Sequence, residues 1–241
     1  MKLQLRAVPA SLILVLAGAL ATFTPGAVDA AGAATRLRVV TLASPLVVRA
    51  PVGASIRVWS SPRATASPQA FPPTTEFGSA TVLLATARKG SWYRVTLPTR
   101  PNGSTGWVRT RDVSLYPVHD QVRVDLAART LTWTRDGQVV LETSIAIGAP
   151  DTPTPVGAFY VTDLLDNADD AGPYGPYALG LSAHSDRLSE FAGGDGQVGL
   201  HGTDAPWSIG QDVSHGCVRV PNDVVTRLAT SLPLGTPVTV A

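Results

Sequence analysis

Cys217 is the single cysteine of the chain, within Ser214-His215-Gly216-Cys217-Val218-Arg219, and His201 lies sixteen residues upstream in Gly199-Leu200-His201-Gly202-Thr203. A thiol attacks a carbonyl as thiolate, and a free cysteine near neutral pH is mostly protonated, so it needs a base. His201 and His215 are the candidates. His215 stands two residues before Cys217, on the same side of an extended segment. His201 must arrive through the fold, at the end of the apolar run Gln197–Leu200. The carbonyl of Gly202 is placed to orient the His201 ring. Gly216 leaves the backbone bare, so the amides of Gly216 and Cys217 can turn toward a developing oxyanion. Arg219 falls on the same side as Cys217 and suits a carboxylate in a fork. Two other readings stand beside this one. The first is a buried, inert cysteine. The second is a zinc site of His184, His201, His215 and Cys217, for which no His-x-x-x-His or Cys-x-x-Cys clip is present.

The start of the chain bears on the state of that thiol. Lys2 and Arg6 precede the apolar run Leu12–Leu20, which is too short to span a bilayer and is broken by Thr22, Thr24, Pro25 and Gly26. Val28-Asp29-Ala30 offers small residues at a cleavage site, so residues 1–30 are expected to be a signal peptide, with an uncleaved anchor as the other reading. The mature protein is then exported to the cell wall or periplasmic space, with no membrane association after cleavage. Spare thiols tend to oxidise in such a compartment, and a lone one cannot close an internal disulfide. Loss of Lys2, Arg6 and Asp29 takes the formal charge from +1 to zero, which leaves no electrostatic footprint for nucleic acid.

The elements that must position Cys217 read as strands and turns. Ser55–Ser60, Ala80–Ala87, Trp92–Leu97 and Gly106–Arg109 alternate or run apolar. Ser61–Thr75 reads as a Pro/Ser-rich loop, and Arg100-Pro101-Asn102-Gly103-Ser104 is a turn. Beyond Pro117 come Gln121–Leu126, Thr130–Thr134, a turn at Asp136-Gly137, and Gln138–Ile147. Ala158–Val161, Tyr177–Ser182, Gln197–Leu200 and Pro237–Val240 follow. Helical spacing occurs at Asn222–Leu232, where Val224, Val225, Leu228, Ala229 and Leu232 share a face. The expected fold is mainly β: a small barrel over residues 31–117, then a mostly-β domain over 118–241 with one C-terminal helix. Trp92 and Trp107 are expected in the first core rather than stacked on a ligand.

Two resemblances sharpen this. Gly90-Ser91-Trp92-Tyr93-Arg94-Val95 and Gly103-Ser104-Thr105-Gly106-Trp107-Val108 resemble the bacterial SH3-like domains attached to cell-wall enzymes. His201-Gly202-Thr203, Pro206-Trp207-Ser208-Ile209-Gly210 and Ser214-His215-Gly216-Cys217-Val218-Arg219 resemble the signature of the L,D-transpeptidase catalytic domain. Thr152-Pro153-Thr154-Pro155-Val156-Gly157 and Gly175-Pro176-Tyr177-Ala178-Leu179 belong to the same pattern. That resemblance covers about residues 120–241 and implies a peptidoglycan cross-linking enzyme. Its cysteine takes an acyl group from the third residue of a tetrapeptide stem and releases terminal D-alanine. A side-chain amine of a neighbouring stem then resolves the thioester into a 3→3 link.

By position, Cys217 becomes the nucleophile, His201 its base, and Gly202 the orienting carbonyl. His215 and Gly216 fall at the oxyanion hole or groove. Ser214, Arg219, Tyr177 and Thr203 become substrate-binding residues, with Arg219 standing where many relatives carry asparagine. The resemblance implies no cofactor or metal, donor and acceptor stem peptides as partners, and acylation by carbapenems. The N-terminal region is expected to act as a wall-binding spacer whose loss spares turnover of small substrates. Water in place of the amine gives an L,D-carboxypeptidase. A cell-wall cysteine peptidase and a non-catalytic wall-binding protein are the remaining readings; neither the oligomeric state nor the stem's diamino acid is encoded legibly.

Overall fold

Short strands joined by glycine-bearing turns build two sheets. The computed structural model describes residues 38–167, 171–191 and 193–241; the signal peptide expected at residues 1–30 lies outside them. Residues 37–241 cluster as one compact unit.

In the first part, β1 (Val40–Arg49), β2 (Ile56–Val58), β3 (Gln69–Phe71), β4 (Leu83–Lys89), β5 (Trp92–Thr96), β6 (Thr105–Arg109) and β7 (Ser114–Pro117) follow in order. Five of them form a sheet in the order β6-β5-β4-β1-β7, and β2 pairs with β3. Val48, Ile56, Leu83, Val95 and Val108 fill its core. β1 was not anticipated, because Ser44-Pro45 interrupts its apolar pattern; the strand absorbs them as an irregularity in its pairing with β4 between Thr41 and Leu46. β3 lies inside the expected loop 61–75, held by the pairs Ile56↔Phe71 and Val58↔Gln69. Of the three tryptophans of this part, Trp59 is buried, while Trp92 and Trp107, expected in the core, are half-buried. Trp92 meets Trp59 edge-on at 5.3 Å and remains part-exposed, with the Arg109 guanidinium 4.5 Å from the Trp59 ring and 5.2 Å from that of Trp92.

The second part carries β8 (Asp120–Asp125), β9 (Thr130–Arg135), β10 (Gln138–Ser144), β11 (Ile147–Gly148), β12 (Gly157–Asp166), β13 (Tyr177–His184), β14 (Gln197–His201), β15 (Asp212–Ser214), β16 (Val218–Arg219), α1 (Asn222–Ser231) and β17 (Pro237–Val240). Eight strands form one sheet in the order β10-β9-β8-β17-β12-β13-β14-β16. The last strand of the chain therefore sits inside the sheet, parallel to β8 and antiparallel to β12. α1 buries Val224, Val225 and Leu228 against a core that includes Leu179, Leu181, Leu200 and Val218. The expected strand Gln138–Ile147 breaks at Ser144, because Ala146 exchanges both backbone hydrogen bonds with Arg219 (2.9 Å each) and Ile147 turns to pair with β15.

The two sheets share a seam. Val47, Val82, Leu84 and the fully buried Tyr160 pack together there, and the Tyr160 hydroxyl donates to the Thr96 carbonyl at 3.3 Å. The Arg100–Ser104 turn grips the β13–β14 connection. Arg100 donates to the carbonyls of Ser185, Leu188 and Asp195 at 2.6, 2.9 and 2.8 Å, and Asn102 exchanges two hydrogen bonds with the backbone of His184 at 2.7 and 2.9 Å.

Candidate active site

β14 and β16 run parallel and in register, with Leu200 beside Val218 and His201 beside Arg219. Alternate residues of neighbouring strands share a face, so this register sets Gly199, His201, Cys217 and Arg219 on one side. His201 and Cys217 both line a cavity of about 410 Å³, together with Tyr174, Phe191, Gly199 and, from the N-terminal part, Phe77.

His201 is buried, and its Nδ1–H donates to the Gly202 carbonyl at 2.6 Å. A carbonyl only accepts, so this bond fixes the proton on Nδ1 and leaves Nε2 as a bare acceptor. Burial pushes the imidazole pKa down to about 4, the Gly202 bond opposes that shift, and the Arg219 charge adds to it. The ring is neutral at pH 7. Cys217 is half-buried and free. Burial pushes its thiol up, against the Gly199 amide, which donates to the sulfur, and the Arg219 charge. Thiol and imidazole therefore rest as a neutral pair. Among the described residues they form no hydrogen bond to each other; apo geometry in such pairs tightens when substrate is bound.

The residues around them divide by role. Ser214 is buried, donates through Oγ to the Cys217 carbonyl at 2.5 Å, and accepts the Gly216 amide at 3.1 Å. It shapes the Cys217 loop, and the Gly216 amide expected at an oxyanion hole is spent on it. Gly216 has φ +119°, a left-handed geometry that favours glycine. His215 is exposed and stacks on Phe191, with ring centroids 5.0 Å apart, at the rim of the cavity. Arg219 keeps a buried Nε with no partner among the described residues, and its charge acts on both the thiol and the imidazole.

Thr203 is buried in a brace: its amide donates to Asn222 Oδ1 at 2.7 Å, and its Oγ1 accepts from the Ala205 amide at 3.0 Å. It lines a separate cavity with Pro206 and Asn222, not the one shared by Cys217 and His201. Tyr177 packs against the core, and its carbonyl accepts from the Gly202 amide at 3.2 Å. Tyr174, and not Tyr177, lines the cavity of His201 and Cys217. Its ring meets the His201 ring at 4.8 Å, edge to face, and its hydroxyl pKa is raised by burial and by the neighbouring Cys217. The chain repeats itself here as Gly172-Pro173-Tyr174-Gly175-Pro176-Tyr177, and that doubled tripeptide was the available signal for Tyr174. Asn222 carried no signal beyond a helix cap, yet it fixes the histidine turn. A Cβ at Gly202 would run into Asn222 Oδ1, and one at Gly175 would stand 2.7 Å from Gly202 Cα.

His184 lies elsewhere, at the seam, with Nε2 2.9 Å from Asp195. The four candidates of the zinc reading are thus not brought together, and among the described residues no group of three or more His, Cys, Asp or Glu could hold a metal ion. No helix among the described residues is long and apolar enough to cross a membrane.

The model of the YkuD family, described as the L,D-transpeptidase catalytic domain, matches residues 119–240. The chain belongs to the L,D-transpeptidase catalytic domain family. It is 37% identical to the YkuD protein of Bacillus subtilis over 125 residues, covering 52% of this chain and 68% of that one. It is 25% identical to L,D-transpeptidase 1 of Mycobacterium tuberculosis over 181 residues, covering 61% and 70%. The solved catalytic domain of the E. faecium L,D-transpeptidase is 30% identical, with a TM-score of 0.38, covering 51% of this chain and 96% of that one. The curated matches thus span about two thirds of their own lengths, and membership identifies the chain as an enzyme of the L,D-transpeptidase kind.

Proposed function

We propose that this enzyme joins peptidoglycan stems by 3→3 links through a thioester on Cys217. The observation that carries the reading is the fixed tautomer of His201: with Nδ1 committed to Gly202, Nε2 is the basic nitrogen on the cavity that Cys217 also lines. As the sulfur attacks the carbonyl carbon of the stem's third residue, its proton passes to Nε2. The amide of Cys217 serves the oxyanion, and that of Gly199 steadies the sulfur. When the C–N bond breaks, the imidazolium returns the proton to the leaving amine, and D-alanine departs. A stem amine then attacks the thioester and loses its proton to His201, and the sulfur leaves and is reprotonated. The neutral resting pair suits this order, because the base is free and the thiol stays protonated until a carbonyl is in place.

Arg219, whose charge acts at Cys217 and His201, is the residue for a stem carboxylate. His215 and Phe191 form one rim of the groove. Carbapenems acylate Cys217 by the same attack on a strained carbonyl. We take residues 1–30 as an export signal, the enzyme as extracytoplasmic, residues 31–117 as an SH3-like domain and 118–241 as the catalytic domain. The test is incubation with a purified disaccharide-tetrapeptide and mass spectrometry of the products. A cross-linked dimer supports transpeptidation, tripeptide alone means carboxypeptidation, and unchanged substrate defeats the reading.

A further inference from the structure

Behind the catalytic cavity lies a second one of about 190 Å³, at the seam between the two sheets. The two share Glu76, Phe77, Asp195 and Gln197 as walls, so the smaller opens beside the larger. Its lining divides by chemistry. Phe77, Val82 and Pro98 give it apolar sides, and Glu76, Asp163 and Asp195 bring three carboxylates.

Of two buried groups there, one lacks a cation and the other lacks a donor. Asp163 is 1% exposed. Its oxygens receive Thr75 Oγ1 at 2.5 Å and Gln197 Nε2 at 3.4 Å, and among the described residues it makes no ion pair with an arginine or lysine. A buried carboxylate without a cation is costly. His184 is 5% exposed, and its Nε2 lies 2.9 Å from Asp195 Oδ2. The carboxylate accepts, so Nε2 bears the proton, and in the neutral ring Nδ1 is an acceptor. That Nδ1 is buried and has no partner among the described residues. Arg100, at the seam, spends N–H groups on the carbonyls of Ser185, Leu188 and Asp195. The cavity thus presents acceptors and negative charge at one end and apolar walls along its sides. That combination fits an aminoalkyl chain, with methylenes against Phe77, Val82 and Pro98 and an ammonium among Glu76, Asp195 and His184.

We infer that this cavity is a specificity subsite for the side-chain ammonium of the donor stem's third residue, the residue whose carbonyl is acylated onto Cys217. The inference rests on the proposed transpeptidation. Donor and acceptor stems are alike there, so the donor residue carries the same side-chain amine, and the shared wall lets that side chain run from the thioester into the acidic end. The N-terminal part of the chain, through Glu76 and Phe77, is then a reader of substrate and not a spacer.

The test measures binding apart from turnover. Full-length Cys217→Ala protein is titrated calorimetrically with L-Ala–γ-D-Glu–L-Lys–D-Ala and with the same peptide acetylated on the lysine amine. The free amine is expected to bind about tenfold tighter, the scale of one charge-assisted hydrogen bond. Adding Glu76→Gln, an exposed position that leaves the fold intact, is expected to reduce that preference to below about threefold. Equal affinities for the two peptides, or a preference untouched by Glu76→Gln, overturn the subsite. D-alanine release by the protein with Cys217 in place separates the two claims. Release without discrimination defeats the subsite alone, and discrimination without release defeats the reaction while the subsite stands.

Discussion

The Gly202 carbonyl accepts the Nδ1–H of His201 at 2.6 Å, and Asn222 Oδ1 accepts the amide of the next residue, Thr203, at 2.7 Å. The orientation of the base is thus set by two residues of backbone turn and by the first residue of α1. A helix placed by core packing of Val224, Val225 and Leu228 is thereby coupled to the tautomer of the His201 ring.

Gly202→Ala should break that coupling. The new methyl meets Asn222 Oδ1, Gly175 Cα and Pro176 Cδ, two of the three on glycine- and proline-fixed backbone. The expected cost is about 2 kcal/mol or more in stability, with kcat falling further than the loss of folded protein explains. Chemical denaturation alongside D-alanine release at saturating substrate checks this; unchanged kcat would detach the turn from the chemistry.

His201 gives a pH signature with a definite sign. Its pKa is near 6.5 unfolded and about 4 folded. Between those values the unfolded chain binds the extra proton, so stability is complete above about pH 6.5 and is lost as pH falls toward 4, by up to about 3 kcal/mol. His201→Gln should flatten the stability profile over that window. Urea titrations at several pH values test it, and parallel profiles for the two proteins would count against a buried neutral ring.

The two histidines should rank clearly. His201→Ala removes the base and is expected to lower acylation by at least about a hundredfold. His215→Ala removes an exposed ring stacked on Phe191, with an expected effect of roughly threefold, seen in KM. The reverse ranking in pre-steady-state D-alanine release would reassign the roles.

Removing residues 31–117 should abolish turnover of even a small soluble stem, contrary to what a spacer would do. Phe77 lines the cavity of Cys217, and Arg100 and Asn102 hold the loop that carries Phe191. A milder probe is Arg100→Ala, expected to lower kcat/KM about tenfold with the core intact. Full activity of the truncated chain would restore the spacer reading.

The candidate pair was legible because its signal is local: Ser214 to Arg219 is one short segment, and His201 ends an apolar strand. The single helix was legible for the same reason, its apolar positions repeating at helical spacing. What could not be read was tertiary. Ser214 was expected in the groove, but whether a serine faces substrate or closes its own turn depends on a loop geometry that the residue type does not declare. Tyr174 and Tyr177 end two successive copies of one tripeptide, and strand pairing with Gly202 and His201 decides which one reaches the ring. The contribution of Glu76 and Phe77 depends on how one sheet docks on the other, through contacts such as Thr75 with Asp163, 88 residues apart in sequence. Pattern in one segment carries no record of such a distance.

The most direct measurement is the mass of the intact protein, acid-quenched within seconds of mixing with a tetrapeptide stem. The expected spectrum gains the mass of the stem less D-alanine, on a peptide containing Cys217, and Cys217→Ala gains nothing while keeping its melting temperature to within about 3 °C. Release of D-alanine by the Cys217→Ala protein, or turnover by the natural protein with the adduct mapped to another residue, would contradict the account.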